Sequence, residues 1–151
     1  MNFTRTITQK NRAVIKRFLT ELSLDDLNKI PEGFSNNIIW NIAHILVTQQ
    51  LLVYRLSGLP TYVSEEMILK YKNKTKPEGN VTQAEVNEIT TLMDSLLLQL
   101  EKDLEAKIFK TFNEYTISTG IVLNSVEEAI EFNNVHEGIH FGYILALKKA
   151  L

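Results

Sequence analysis

The sequence predicts an all-α protein, an up-down four-helix bundle, and three observations support this prediction. Four long segments carry apolar residues at helical spacing. Two of them open with a capping box, in which a Ser or Thr is followed three residues later by Glu. No segment has a convincing strand pattern. With 44% apolar and 23% charged residues among 151, the chain has the size and composition of one globular domain, predicted over residues 1–151.

The first two predicted helices are separated by a break at Pro31 and Gly33. The second begins near Ser35, a good N-cap residue, and continues to about Leu56. Gly58 and Pro60 then end it. The first helix extends roughly over Thr4–Leu22, and its apolar stripe consists of Ile7, Val14, Ile15, Phe18, Leu19 and Leu22.

A long polar loop is predicted between the second and third helices, over residues 58–81, with room for a short helix within Thr61–Tyr71. The third helix opens with the capping box of Thr82 and Glu85. Its buried stripe consists of Val86, Ile89, Leu92, Met93, Leu96, Leu97, Leu100 and Leu104.

An irregular crossover is predicted between the third and fourth helices. Residues 108–124 mix aromatic and β-branched residues with Thr, Ser and Gly120, which favours a short hairpin or an extended connection. The fourth helix opens with the capping box of Ser125 and Glu128 and continues to the C-terminus. The four helices together define an all-α bundle.

Composition narrows the function classes. The absence of cysteine excludes disulfides, thiolate metal sites and Cys nucleophiles. A formal net charge of -2 without a basic run argues against nucleic-acid binding. Polar residues interrupt the most apolar run, 38–56, so no membrane span is expected, and Met1–Lys10 lacks the apolar stretch of a signal peptide. The default location is therefore cytoplasmic.

Histidine is the residue type that suggests chemistry, because the chain has three and places all of them in apolar helical stretches. His136 and His140 are four residues apart on the fourth helix, which directs both rings to one side about 6 Å apart along the axis. His44 lies mid-way along the second helix. An i, i+4 pair such as His136 and His140 often lies on the surface without a function. A lone His among apolar residues, such as His44, is often a hydrogen-bonded core residue. Since unpaired imidazoles are costly there, we also consider a shared metal site.

Three neutral imidazoles suit zinc or nickel, with iron as a further candidate, and leave an open coordination position. Glu137 points about 100° away from His136 and is not expected to be a ligand. Several residues near the three histidines are candidates for orienting them or for lining a pocket, although each is also an ordinary helix residue: Trp40, Asn41, Gln49, Asn133 and Tyr143.

A stripe of small residues marks another face of the fourth helix, about 200° from His136. It consists of Gly138, Gly142, Ala146 and Ala150. Each Gly within a helix lowers helix stability by about 1 kcal/mol relative to Ala, so close approach of a second helix would explain why glycines occur in this stripe. That helix could belong to the bundle or to the partner in a dimer.

Two motifs resemble the DinB-like family. The stretch Ile39–Ile45 contains a W-x-x-A-H pattern, and Asn134–Ile144 contains H-x-x-x-H-x-G. Pro31–Gly33 and Lys74–Pro77 also look like family features, so the resemblance covers nearly the whole chain. It implies a four-helix bundle with a three-histidine metal site, commonly in homodimers. His44, His136 and His140 match the ligand positions. Gln49 occupies a position where the family often has an acidic residue, so this chain has no carboxylate there to assist the chemistry.

The resemblance implies a metal-dependent thiol S-transferase, since relatives include bacillithiol-dependent transferases and mycothiol-dependent isomerases. In this hypothesis the metal binds a small thiol, lowers its pKa, and the sulfur attacks a small-molecule electrophile. A metal-dependent hydrolase is the second hypothesis, although Gln49 and Asn133 are poor bases. The third is a non-enzymatic, stress-related module that binds a metal or a small molecule.

Overall fold

The computed structural model describes residues 3–151, so the first two residues of the predicted domain lie outside it. The predicted all-α fold class is confirmed. In chain order the elements are α1 (Phe3–Glu21), α2 (Leu24–Asn28), α3 (Ile38–Gln49, continued by π-helical turns over Gln50–Arg55), α4 (Glu65–Tyr71), α5 (Gln83–Glu105), β1 (Tyr115–Thr116), β2 (Val122–Leu123) and α6 (Val126–Lys149).

The four long helices surround one apolar core, and α1 and α3 each pack against both α5 and α6. Cross-helix contacts give their directions. Arg5 pairs with Glu101 and Lys16 with Asp94, so α1 and α5 are antiparallel. Arg12 pairs with Glu137 and Phe18 contacts Phe141, so α1 and α6 are parallel.

The contacts of α3 complete the topology. Its His44 meets His136 and its Asn41 meets His140, which makes α3 and α6 antiparallel and α3 and α5 parallel. The directions are therefore up-down-down-up rather than a simple alternation. Parallel neighbours need a connection that returns along the bundle, and the long loop containing α4 provides it. The predicted short helix within Thr61–Tyr71 is confirmed as α4.

Side-chain caps fix where the helices begin. The predicted caps are confirmed at Thr82 and Ser125, which accept hydrogen bonds from the backbone N–H of Glu85 and Glu128. Ser35 is wrong as the cap of α3. Asn37 caps it instead, because its Oδ1 accepts from the Trp40 N–H at 2.9 Å while its amide donates to the Asn28 carbonyl. That link ties the start of α3 to α2, a helix the sequence analysis did not predict.

Two further predictions concern burial and the crossover. Residues 108–124 form the predicted short hairpin, in which β1 and β2 pair antiparallel. The apolar stripe assigned to α1 is wrong at Val14, which is exposed, whereas the polar Thr8 and Arg12 are buried. Arg12 can occupy the interior because a carboxylate on α6 neutralises it.

The small-residue stripe of α6 lies on the surface. Gly138, Gly142, Ala146 and Ala150 are exposed, and a Cβ added at either glycine would contact nothing within 4 Å. Close packing inside the bundle therefore does not explain the stripe. Between residues 3 and 151, no helix combines the length and the apolar character needed to cross a membrane.

Candidate metal centre

Three histidines from two helices meet between α3 and α6. His136 and His140 share one side of α6, and the antiparallel packing places His44 of α3 opposite them. One ligand nitrogen from each ring lies within 4.8 Å of the other two. Among residues 3–151 this is the group of histidine and acidic side chains that could hold a metal ion, and no carboxylate belongs to it.

The spacing of the nitrogens suits a shared cation. Nε2 of His44 lies 3.2 Å from Nε2 of His136. Two nitrogens bound at about 2.0–2.1 Å and at tetrahedral angles to one ion lie about 3.3 Å apart. The observed separation therefore fits two ligands of one first-row metal.

Hydrogen bonds orient two of the rings. Nδ1 of His44 donates to the backbone carbonyl of Tyr71 at 2.6 Å, so this nitrogen carries the proton and Nε2 presents its lone pair. Nδ1 of His140 donates to Oδ1 of Asn41 at 2.8 Å. The Asn41 amide nitrogen donates in turn to the Asn37 carbonyl at 2.7 Å, which fixes the amide so that its oxygen faces His140. Nδ1 of His136 is buried and has no hydrogen-bond partner among residues 3–151.

The site favours uncharged imidazoles. Burial, with His140 and His44 as neighbours, lowers the pKa of His136 to about 3. Burial and His44 lower the pKa of His140 to about 4. Burial also lowers the pKa of His44, against a smaller raising effect of its hydrogen bond to Tyr71. Neutral imidazole is the form that binds metals, so near neutral pH protons do not compete for these nitrogens.

One wall of the site comes from α3. The Trp40 ring stacks on the His44 ring, with centroids 4.7 Å apart and planes 11° from parallel. The Thr48 hydroxyl lies 3.3 Å from Nε2 of His44. The sequence analysis did not single out Thr48, although its position one turn after His44 was a usable signal.

The other predicted neighbours have different surroundings. Tyr143 stacks edge-on against Phe34, with centroids 5.6 Å apart, and no hydrogen bond within the described chain joins it to the histidines. Gln49 and Asn133 are buried and line one narrow cleft between α1, α3, α5 and α6. Oε1 of Gln49 and Oδ1 of Asn133 are unpartnered within the described chain. Of the five candidates, Asn41 and Trp40 therefore contact the histidine cluster directly.

A buried ion pair beside the cluster was missed from the sequence. Arg12 is 2% exposed, and its Nη2 lies 2.7 Å from Oε1 of Glu137, which is 0% exposed. Asn133 donates to the same oxygen at 2.7 Å. As predicted, Glu137 turns away from the metal-ligand side. Glu137 follows His136 directly and pairs with Arg12, so α6 turns this position toward α1 and the two histidines toward α3.

The donor set and the fold define a helical bundle with a three-nitrogen site suited to a first-row cation. Three protein ligands leave at least one coordination position for a small molecule. The family model of the DinB superfamily matches residues 7–144. The chain therefore belongs to the DinB superfamily. A search of the curated proteins gives no match.

Proposed function

We propose that this chain binds a divalent metal ion through His44, His136 and His140 and uses it to transfer a small thiol to an electrophilic substrate. The observation that carries the metal site is the 3.2 Å approach of the His44 and His136 Nε2 atoms, with Nδ1 of His44 already engaged. Nε2 of His44 presents a lone pair to His136: without a metal it accepts a hydrogen bond from Nε2–H of His136, and in the other tautomer of His136 both nitrogens can bind one cation.

Zinc or nickel suits three imidazoles best, with iron next. A bound cation of this kind would supply Lewis acidity that keeps a thiol sulfur ionised near neutral pH, where a free thiol, with a pKa of about 8.5, is mostly protonated. A low-molecular-weight thiol such as bacillithiol, a cofactor of relatives in this superfamily, would bring the sulfur that a chain without cysteine lacks. In a substitution the sulfur–carbon bond forms as the bond to the leaving group breaks. The leaving group keeps the electron pair, and the thiol proton goes to solvent.

The side chains around the cluster support transfer more than hydrolysis. A hydrolase needs a base or proton shuttle near the activated water. The acidic residue nearest in sequence, Glu137, is neutralised by Arg12, and Gln49 carries an amide. Thr48 and Trp40 offer a hydroxyl and an aromatic wall beside His44, which suit binding and orientation of an organic substrate.

Metal binding is tested by elemental analysis of protein purified without a nickel column. We expect about one ion per chain in wild type and in the control E131Q, whose side chain is exposed on α6. The variants H44A and H140A should lose the ion while remaining folded. Wild-type content in H44A would contradict the proposed site.

Thiol transfer is tested with a panel of aryl halides and epoxides, each combined with bacillithiol, mycothiol, glutathione or cysteine. Wild type and E131Q should exceed H44A and H140A for at least one pairing, with loss on chelation and recovery on addition of metal. Turnover of an ester or amide without thiol would support the hydrolase instead. Metal binding without turnover of any pairing would support the binding module.

We further propose a cytoplasmic homodimer formed along the exposed face of α6. This face carries apolar side chains next to the small-residue stripe: Val135 is 59% exposed and Ile139 64%. Exposed apolar residues in one patch are typical of an association surface. Small residues between them would let two copies of α6 approach closely.

A further inference from the structure

The ring of His44 is held by the carboxyl end of the short helix α4. Its Nδ1 lies 2.6 Å from the carbonyl oxygen of Tyr71, the last residue of that helix. The last four carbonyls of an α-helix have no partner within the helix, and they carry the negative end of its dipole. The Tyr71 carbonyl is therefore available to His44 and well suited to hold a proton on Nδ1.

A second contact fixes the end of α4 from outside the helix. The buried hydroxyl of Tyr71 donates a hydrogen bond to Oε1 of Glu85, on the first turn of α5. Nζ of Lys70 also contacts this carboxylate, at 2.6 and 2.8 Å from its two oxygens. Burial, with the hydrogen bond to Glu85, raises the pKa of Tyr71 above its usual 10, so the hydroxyl stays a donor.

The contact matters because α4 has little stability of its own. It has seven residues and stands between two stretches of irregular chain, and helices this short are marginal in isolation. Met67, Ile68 and the ring of Tyr71 pack one side of it into the core. Apolar packing is non-directional, whereas the hydrogen bond from Tyr71 to Glu85 is directional and sets the orientation of the last turn.

We propose that Tyr71 and Glu85 are positioning residues for the metal ligand His44. Their hydrogen bond holds the last turn of α4 against α5, so that the Tyr71 carbonyl keeps His44 as the Nδ1–H tautomer with Nε2 directed at the metal position. The inference rests on the proposed metal site. According to this inference, α4 influences metal affinity although it contributes no ligand. Loss of a hydrogen-bond partner that orients a histidine ligand typically weakens metal binding by about 10- to 100-fold.

Three variants separate this role from general stabilisation. Y71F removes the hydroxyl and keeps the ring, and E85A removes its acceptor. K70M is the matched control: it removes the ion pair to Glu85 and the contact of Nζ with the Tyr71 ring, and it leaves the Tyr71 hydroxyl and its acceptor unchanged. For each protein we would measure zinc affinity by chelator competition, the visible spectrum of the cobalt-substituted form, and the melting temperature without metal.

We expect Y71F and E85A to bind zinc about tenfold more weakly than wild type, with an altered cobalt spectrum. K70M should stay within about twofold of wild type, with an unchanged spectrum. In the metal-free protein, long-range nitrogen–proton NMR should find His44 as the Nδ1–H tautomer in wild type and as a tautomer mixture in Y71F. This last measurement needs neither metal nor turnover.

Wild-type affinity and spectrum in Y71F would overturn the inference, as would equal losses in K70M and Y71F. An Nε2–H tautomer of His44 in wild type would also overturn it, even if Y71F failed to fold. These outcomes differ from failure of the proposed function. If wild-type protein does not bind zinc, or if H44A binds it equally well, the metal site itself is contradicted.

Discussion

The three histidines of the cluster differ in the group that their Nδ1 atom contacts. Nδ1 of His44 meets a backbone carbonyl, Nδ1 of His140 meets the Asn41 amide, and Nδ1 of His136 meets no group of the described chain. Two rings thus have a fixed tautomer before a metal binds, while the third is free to adjust. Such preorganisation lowers the conformational cost of binding an ion at this site.

The pKa of Tyr54 tests the effect of burial at a position away from the histidine cluster. Its hydroxyl donates to Oδ2 of Asp103 at 2.8 Å, and burial together with this carboxylate raises the pKa of Tyr54 above its usual 10. Above pH 10 the unfolded chain loses the phenolic proton while the native state keeps it. The unfolded state then binds fewer protons, so stability is present below pH 10 and falls as pH rises above it.

We therefore expect the unfolding free energy of wild type to fall more than that of Y54F between pH 9.5 and 11, by at most about 1.4 kcal/mol per pH unit. At pH 8 the variant should be less stable by about 1–3 kcal/mol, because Asp103 loses a donor. Urea titrations at these pH values provide the measurement, and Y115F, at an exposed tyrosine, is the control. Parallel pH curves for wild type and Y54F would contradict the assignment.

Residue identities were the most predictable part of the site. The three histidines followed from their scarcity and spacing, and Asn41 from its position one turn before His44. The carbonyl of Tyr71 could not be predicted, because every residue has a carbonyl and this one reaches His44 only through the course of a long loop. Arg12 was missed for a similar reason: its partner Glu137 is 125 residues away in sequence.

At the scale of elements, periodicity predicted the long helices and missed their local irregularities. The capping boxes correctly located the starts of α5 and α6. The change to π-helical turns at Gln50–Arg55 has no sequence signature. It depends on backbone hydrogen bonds, in which the N–H groups of Leu56 and Leu59 donate to carbonyls five residues earlier in the chain. Val14 is a second example. It fits the apolar pattern of α1 but is exposed, whereas Arg12 is buried because it pairs with Glu137 of α6.

The contact between α1 and α6 can be tested through the buried pair Arg12 and Glu137. Removing one partner leaves an uncompensated buried charge, which typically costs about 3–5 kcal/mol, whereas replacing both with apolar residues is often neutral or stabilising. We expect R12M and E137L each to lose stability in that range, and R12M/E137L to recover most of it. Urea unfolding of the four proteins gives the coupling energy.

The same four proteins test whether the pair positions the proposed metal ligands. If it fixes the rotation of α6, the double variant should be stable yet bind zinc more weakly than wild type, by about tenfold. The surface ion pair of Arg17 and Glu21, removed as R17M, is the control, since exposed pairs contribute at most about 1 kcal/mol. Additive losses in the double variant would show that the two buried charges do not interact.

For the whole molecule, a metal shared by α3 and α6 should stabilise the fold. Its ligands are 92 residues apart, from His44 to His136, so the site exists only in the folded chain. An ion that binds only the native state at a hundredfold excess over Kd adds about 2.7 kcal/mol. For a chain of this size that corresponds to a rise in Tm of roughly 5–10 °C.

Thermal melts with zinc and with a chelator would measure this effect. H140A should show no difference between the two conditions, because it lacks one ligand. Equal melting temperatures of wild type in both conditions, with metal contents verified to differ, would contradict the shared site. An equal rise in H140A would instead point to binding elsewhere on the surface.

The final prediction concerns the exposed face of α6. Val135, Ile139 and Leu145 project there beside Gly138 and Gly142, and the bundle uses none of these positions for its own core. A single exposed apolar residue would need no explanation, but three on one helix face, separated by residues without bulky side chains, form a surface on which a second α6 could pack. Two-fold symmetry would let the same face serve both copies.

Light scattering after size-exclusion chromatography should therefore give twice the 17.3 kDa of one chain for wild type at micromolar concentration. I139E should give a monomer, because two glutamates facing each other across a symmetric contact repel and lose hydration. L98E is the matched control: Leu98 is as exposed as Ile139 but lies on α5, and its variant should remain a dimer. A monomeric wild type would contradict the dimer, and a dimeric I139E would assign it to another face. Because His136 and His140 lie on the same helix, a dimer formed this way would also rigidify the element that presents two of the three proposed ligands.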